Sequence, residues 1–251
     1  MLPLVVGNWK MHGTQRQAQA LARAVTRGAT DIRQVEIALA PPFTALAGLA
    51  KSLKTSPIRL AAQNVHWQDS GAFTGEISPP MLTELGCRYV IIGHSERRHI
   101  FKETDENVAQ KIVACLRMGL RPILCVGETW AERSRGATRQ VIGRQLGAAL
   151  KDLGKTAIGN FDIAYEPVWA IGTGHNATPE QVRAVHGWIQ KSFKKFLGTR
   201  GKKMKSRVLY GGSVRPENCQ SLASLPEVDG FLVGGASLDA QSFLTIVRAF
   251  S

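Results

Sequence analysis

The chain has 251 residues, 44% of them hydrophobic, and a formal net charge of +13 at neutral pH. That length and apolar content suit a single large domain over residues 1–251, and no apolar run approaches the length of a membrane span. The four cysteines, Cys87, Cys115, Cys125 and Cys219, lack metal-ligand spacing and read as reduced thiols of a cytoplasmic protein, not as a disulfide framework.

In chain order, short β-rich apolar runs alternate with amphipathic stretches. Met1 to Trp9 is apolar but has no basic start and no small-residue cleavage site, so it reads as a first strand, Leu4–Gly7, and not as a signal peptide. Further strands are expected at Val35–Leu39, Arg59–Ala62, Tyr89–Ile92, Pro122–Val126, Asp162–Tyr165, Val208–Tyr210 and Gly230–Val233. Helical patterns cover Gln15–Arg27, Ser78–Leu85, Thr104–Met118, Thr138–Leu150, Pro179–Leu197, Pro216–Leu222 and Ala240–Phe250. The alternation implies βαβ units and a parallel sheet, and eight units in this length point to an α/β fold closed as a (β/α)8 barrel. A doubly wound open sheet is the second reading, but no G-x-G-x-x-G follows the first strand.

Polar and glycine residues cluster just after the strands. They are Asn8 and Lys10, Gln63 and Asn64, His94 and Glu96, Glu128, Glu166, Gly211-Gly212-Ser213 and Gly234-Gly235. In a parallel barrel these ends share one face, where active sites are built. Gly212-Ser213, Gly234-Gly235 and Gly172 are small enough for backbone N–H groups to meet phosphate oxygens. Pro167 follows Glu166 and biases it toward extended backbone. The run Pro167-Val168-Trp169-Ala170-Ile171-Gly172-Thr173-Gly174 reads as a lid hinged on glycines, and Thr178-Pro179-Glu180-Gln181 opens the next helix.

Glu166 is the candidate general base, its basicity raised when the lid excludes water, with Ile171 and Leu232 as apolar covers. His94 precedes Ser95-Glu96-Arg97-Arg98, a possible short helix whose N-terminus favours a neutral imidazole that donates a hydrogen bond. Lys10 offers fixed positive charge to an oxyanion and a phosphate; Glu96 holds Lys10, and Asn8 orients either the lysine or the substrate oxygen. A base, a neutral donor and a cation, without a nucleophile or metal cluster, suit proton abstraction beside a carbonyl in a short phosphorylated aldehyde or ketone.

The excess charge gathers in 191–207, with Lys191, Lys194, Lys195, Arg200, Lys202, Lys203, Lys205 and Arg207. It reads as a solvated helix end and loop, not as a nucleic-acid site, because Phe193 and Phe196 fit a buried helical stripe better than a stacking platform.

Seven strings beyond the lid together resemble the triosephosphate isomerase family along the whole chain. They are Gly7-Asn8-Trp9-Lys10-Met11, Ala62-Gln63-Asn64, Gly71-Ala72-Phe73-Thr74-Gly75-Glu76, Ile92-Gly93-His94-Ser95-Glu96-Arg97-Arg98, Cys125-Val126-Gly127-Glu128, Tyr210-Gly211-Gly212-Ser213-Val214 and Val233-Gly234-Gly235-Ala236-Ser237-Leu238. The resemblance implies the TIM-barrel fold and cofactor-free, metal-free interconversion of dihydroxyacetone phosphate and D-glyceraldehyde 3-phosphate. It implies Glu166 moving the proton, His94 serving the oxygens and Lys10 stabilising the enediolate. It further implies a homodimer in which Phe73-Thr74-Gly75 inserts beside the neighbour's Lys10 and His94. Another phosphate-binding barrel enzyme, or polyanion binding through the basic surface, stays open as the alternative. Three features depart from the family's habit: His12 after Met11, His175-Asn176 at the lid's second hinge, and the basic excess, which is expected to steer an anionic substrate.

Overall fold

The computed structural model describes all residues except 152, 154–160, 172–175 and 198–205. Gly172, Thr173 and Gly174 of the expected lid, His175 of its hinge, and Arg200, Lys202, Lys203 and Lys205 of the basic stretch therefore lie outside the described residues. The elements run β1 (Leu4–Asn8), α1 (Gln15–Gly28), β2 (Glu36–Ala40), α2 (Phe43–Leu53), β3 (Arg59–Ala62), α3 (Pro79–Glu84), β4 (Cys87–Ile92), α4 (Ser95–His99) and α5 (Asp105–Arg117). They continue with β5 (Arg121–Val126), α6 (Trp130–Ser134), α7 (Thr138–Leu150), β6 (Asp162–Tyr165), α8 (Pro179–Leu197), β7 (Val208–Tyr210), α9 (Cys219–Ala223), β8 (Gly230–Val233) and α10 (Ala240–Arg248).

All eight expected strands form, and they pair in sequence order, every pair parallel, into a closed barrel. Closure comes from β1 against β8, with Leu4 opposite Gly230 and Gly7 opposite Val233. Gly230 has φ +147°, and a Cβ there would stand 1.9 Å from the Leu4 carbonyl oxygen, so the seam needs glycine. The period-2 geometry of strands divides their side chains between two cores. Leu4, Val6, Ala38, Ala61, Ile91, Ile123, Ala164 and Leu209 belong to the cluster that fills the barrel. Val5, Leu39, Val90, Leu124, Ile163 and Val208 pack outward among the helices. Burying each such branched side chain contributes roughly 1.5–3 kcal/mol relative to exposing it.

Helix starts follow their capping residues. Thr14 and Gln17 form a capping box on α1, Thr104 and Asn107 on α5, and Thr129 and Glu132 on α6. On α1 the buried residues are Ala18, Ala22 and Val25, the 3.6-period stripe that meets the barrel.

Two helices escape the sequence reading. The α2 run holds no charged residue before Lys51, starts after Pro42 and has no side-chain cap, and α6 is only 5 residues long. Two expectations fail: Arg207 of the basic stretch is not solvated but 4% exposed and paired with Glu36 and Asp162, and Phe193 is 6% exposed and meets Phe161 edge-on at 5.2 Å, but Phe196 is 54% exposed. Phe196 lies over Gly147 of α7, a position with no side chain to enclose the ring. The two phenylalanines are thus not one buried stripe.

Candidate active site

The C-terminal ends of the strands surround a cavity of about 460 Å³. Its wall includes Asn8 and Lys10 after β1, His94 after β4, Glu166 and Ile171 after β6, Ser213 after β7, and Leu232, Gly234 and Gly235 from β8 and its loop. Every expected substrate-binding or catalytic position meets here except Gly172, which is outside the described residues, and Glu96, which acts on the wall from behind.

Lys10 sits in left-handed backbone with φ +50°, uncommon for a residue with a Cβ. Three hydrogen bonds hold it there. Its N–H donates to Asn8 Oδ1 at 3.1 Å, so Asn8 orients the lysine's backbone. Its carbonyl accepts from Gln63 Nε2 at 2.8 Å, and the same amide donates to Ala40 O at 2.8 Å. Its Nζ reaches Glu96 Oε1 at 2.6 Å. Burial opposes ionisation of Glu96, but the Lys10 hydrogen bond and charge outweigh it and leave the carboxyl below its usual pKa.

His94 caps α4: its Nδ1 accepts from the Glu96 N–H at 3.2 Å. An accepting Nδ1 leaves the proton on Nε2, so the ring is the neutral tautomer that donates from Nε2. That nitrogen stands 3.0 Å from Glu166 Oε1. The other carboxylate oxygen, Oε2, accepts from the Ser95 N–H at 2.8 Å. Glu166 is 2% exposed and His94 6%, so the pair sits away from bulk water. Glu166's own N–H donates to Val126 O at 2.8 Å, which continues the β5–β6 ladder and fixes where the carboxylate emerges.

Glycine makes room for this carboxylate. A Cβ on Gly211 would stand 3.0 Å from Glu166 Cγ, and one on Gly127 would stand 1.7 Å from the Glu166 carbonyl oxygen. On the opposite wall, a Cβ on Gly234 would meet Lys10 Cε at 3.5 Å. Gly235–Leu238 forms a short 3-10 turn after β8.

The start of the expected lid is anchored by Glu128, whose side chain is fully buried. Its carboxylate accepts from Tyr165 Oη at 3.2 Å, Trp169 Nε1 at 3.1 Å and Arg133 at 3.0 Å, and its carbonyl accepts from the Val168 N–H at 3.1 Å. Pro167 precedes a 3-10 turn at Val168–Ala170 in which Trp169 and Ala170 are buried.

Phe73-Thr74-Gly75 does not line the cavity. Phe73 and Thr74 border a separate hollow with His66, Arg97 and Phe101, and the Phe73 ring lies 4.2 Å from the His66 ring. Sequence reasoning missed three participants: the Ser95 N–H, Arg215 on the wall, and Asn218, which clips the loop after β7. A backbone donor has no sequence signal at all. Gly211 reads from sequence only as a strand end on the active face, and Arg215 as one arginine among many. Among the described residues no group of His, Cys, Asp and Glu has metal-site geometry, and no helix is long and apolar enough to cross a membrane.

The sequence model of the family described as Triosephosphate isomerase matches residues 3–250. Among similar curated proteins, one named "Triosephosphate isomerase" from Aquifex aeolicus is 48% identical over 250 residues, covering 100% of both chains. Another of that name, from Chloroflexus aurantiacus, is 47% identical over 247 residues and covers 98% of each, and one from Moorella thermoacetica is 48% identical over 246 residues at the same coverage.

Proposed function

The chain belongs to the triosephosphate isomerase family, and from that premise we propose that it interconverts dihydroxyacetone phosphate and D-glyceraldehyde 3-phosphate, in glycolysis and gluconeogenesis. The observation that carries the residue roles is the His94–Glu166 pair at 3.0 Å, with Lys10 on the same cavity wall. The phosphate sits on the backbone N–H groups of Ser213, Gly234 and Gly235, and the two glycines put no side chain in its way. Lys10 Nζ faces the substrate oxygens. Glu166 leaves Ser95 and His94, turns to the substrate and removes the proton from the hydroxyl-bearing carbon. The electron pair moves into the carbonyl, and the charge appears on oxygen as an enediolate. His94 Nε2–H donates to that oxygen and, being neutral, also relays the proton between the two oxygens. Glu166, now protonated, returns its proton to the neighbouring carbon, which completes the isomerisation with nothing consumed. Glu96 is the positioning partner of Lys10 and His94. Closure of Pro167–Gly174 keeps water from the enediolate.

The chain is further read as one domain that works as a cytoplasmic homodimer. Met11 is 94% exposed, Phe73 and Phe101 are exposed on the hollow they share, and Ile100 is exposed next to Phe101, apolar side chains that a partner would cover. All four cysteines are free and buried, in keeping with a reducing compartment. The test is steady-state turnover of glyceraldehyde 3-phosphate by purified protein, with Glu166→Ala alongside. Fast turnover that the variant loses by at least a thousandfold, roughly 4 kcal/mol of barrier, supports the reading. Inactivity of a folded parent, or an undiminished variant, refutes it.

A further inference from the structure

One cation on the cavity wall has no part in the chemistry proposed above. Arg215 follows Ser213 and Val214 in the loop after β7 and lines the cavity along with Lys10, His94 and Glu166. It is exposed, and among the described residues no carboxylate lies within ion-pair distance of it. Glu217 shares an adjoining hollow of about 490 Å³ with it, unpaired to it. Its backbone is pinned where it stands. The Arg215 N–H donates to Asn218 Oδ1 at 2.8 Å, the Cys219 N–H donates to the Arg215 carbonyl at 3.0 Å, and Asn218 Nδ2 donates to Ser213 O at 3.0 Å. One clip thus fixes both the phosphate loop and the stem of the arginine.

The charges of the wall leave a task for it. Lys10 is matched by Glu96 at 2.6 Å, and His94 is neutral by its hydrogen bonding. Glu166 then gives the wall an excess negative charge that opposes entry of a phosphate monoester, itself close to doubly negative. Arg215 is the one further cation lining that wall among the described residues. We propose that Arg215 is the capture residue of this site: it draws the phosphate dianion to the mouth, passes it to the Ser213 and Gly234-Gly235 loops, and biases the site toward dianionic over neutral substrates. It acts on entry and binding, and the proton transfer proceeds without it. The kinetic side of this inference rests on the isomerase reading; the phosphate side does not.

The experiment compares Arg215→Gln, Arg215→Lys and Arg23→Gln, the last removing an equal charge from the exposed face of α1. Turnover is measured at ~0.02 M and ~0.2 M ionic strength, where the screening length shrinks from ~20 Å to below ~10 Å. The dissociation constant for inorganic phosphate is measured by calorimetry on the same proteins. Arg215→Gln is expected to lower kcat/KM by roughly 3- to 10-fold at the lower salt, with kcat within about twofold, and to weaken phosphate binding by a similar factor. The gap narrows at the higher salt, Arg215→Lys recovers most of it, and Arg23→Gln stays near the parent. Equal losses in Arg215→Gln and Arg23→Gln would overturn the proposal, since net charge and not place would then be the cause. Unchanged kcat/KM and phosphate affinity in Arg215→Gln would overturn it as well. If the parent turns nothing over yet Arg215→Gln still weakens phosphate binding, the isomerase reading fails and the capture residue stands.

Discussion

At the scale of single residues, the site works by denying alternatives to a few groups. His94 is kept neutral because a backbone N–H occupies its Nδ1 at 3.2 Å, and Glu166 is kept in reach because glycine stands where a side chain would push it away. Gly211 tests that second claim. A methyl group there would sit 3.0 Å from Glu166 Cγ and 3.4 Å from the Tyr165 carbonyl oxygen, and Leu232 Cβ closes the remaining side at 3.7 Å. The backbone cannot yield easily, because the Gly211 N–H donates to Tyr165 O at 2.8 Å. The carboxylate must therefore move by a few tenths of an ångström. Displacing a reacting group by that order is expected to lower kcat in Gly211→Ala by roughly 10- to 100-fold, while inorganic phosphate binds with nearly parental affinity. Steady-state kinetics with phosphate as competitive inhibitor reads both, and a kcat within twofold of the parent would show that Glu166 has slack. The sequence marks Lys10, His94 and Glu166 as candidates because each is a polar side chain at the end of an apolar run. It did not name the Ser95 N–H, since every residue but proline has one, and only the fold aims it at Glu166 Oε2.

At the scale of elements, the strands decide where groups appear, and the loops decide whether they can move. Glu128 joins the two roles. It ends the run of β5, yet its carboxylate gathers Tyr165 from β6, Trp169 from the lid and Arg133 from α6, and Arg133 in turn lies 4.4 Å over the Trp169 ring. The carboxylate is acceptor to all three, so Glu128→Gln sets an amide N–H₂ against a donor and leaves Arg133 without its counter-charge. The expected cost is about 2–4 kcal/mol, which for a chain of this size lowers Tm by roughly 4–16 °C. Turnover should fall as well, by about 3- to 10-fold, because the lid's first hinge loses its anchor. A variant that melts with the parent would mean the three donors are satisfied elsewhere. This hub was only half legible. The sequence marks Glu128 as a polar strand end, but its partners lie 5, 37 and 41 residues away, distances that local pattern cannot connect. The missed α2 has a different cause: its start lacks a side-chain cap, its first charged residue is Lys51, and Pro42 resembles a loop signal.

At the scale of the whole molecule, the barrel separates chemistry at one end from closure at the other. Where the strands begin, Asp162 receives two hydrogen bonds of 2.7 Å from Arg121 and one of 2.9 Å from the Arg207 N–H, while Arg207 reaches Glu36 at 2.6 Å and Tyr89 Oη at 3.1 Å. Asp162, Arg121 and Arg207 are buried at the starts of their strands, and Glu36 is half-buried beside them; the sequence instead reads Arg207 as part of a solvated basic stretch, because its partners come from distant strands. Between the wall and the helices lies one more buried polar group, His186 of α8, wholly enclosed and set against the rings of Tyr165 and Tyr210. Its Nδ1 donates to Glu227 O at 3.0 Å, and its Nε2 has no partner among the described residues. Burial lowers its pKa from 6.5 to about 4, against the smaller opposing effect of the Glu227 carbonyl. Between those two values the unfolded chain binds the proton and the folded chain does not, so stability rises with pH through the window and is complete above it. As pH falls from 7 to 5, this one group should remove about 2 kcal/mol of unfolding free energy. His186→Phe keeps the shape and abolishes the titration, and Gln190 Nε2 still donates to Glu227 O at 3.2 Å. Urea unfolding of parent and variant at a fixed protein concentration, at pH 7 and pH 5, isolates the difference from the carboxylates that titrate lower. The parent should lose about 2 kcal/mol more than the variant over that interval; equal losses would mean that His186 takes its proton without opening the fold, and that the packing between α8 and the β6–β7 wall yields to admit a charge.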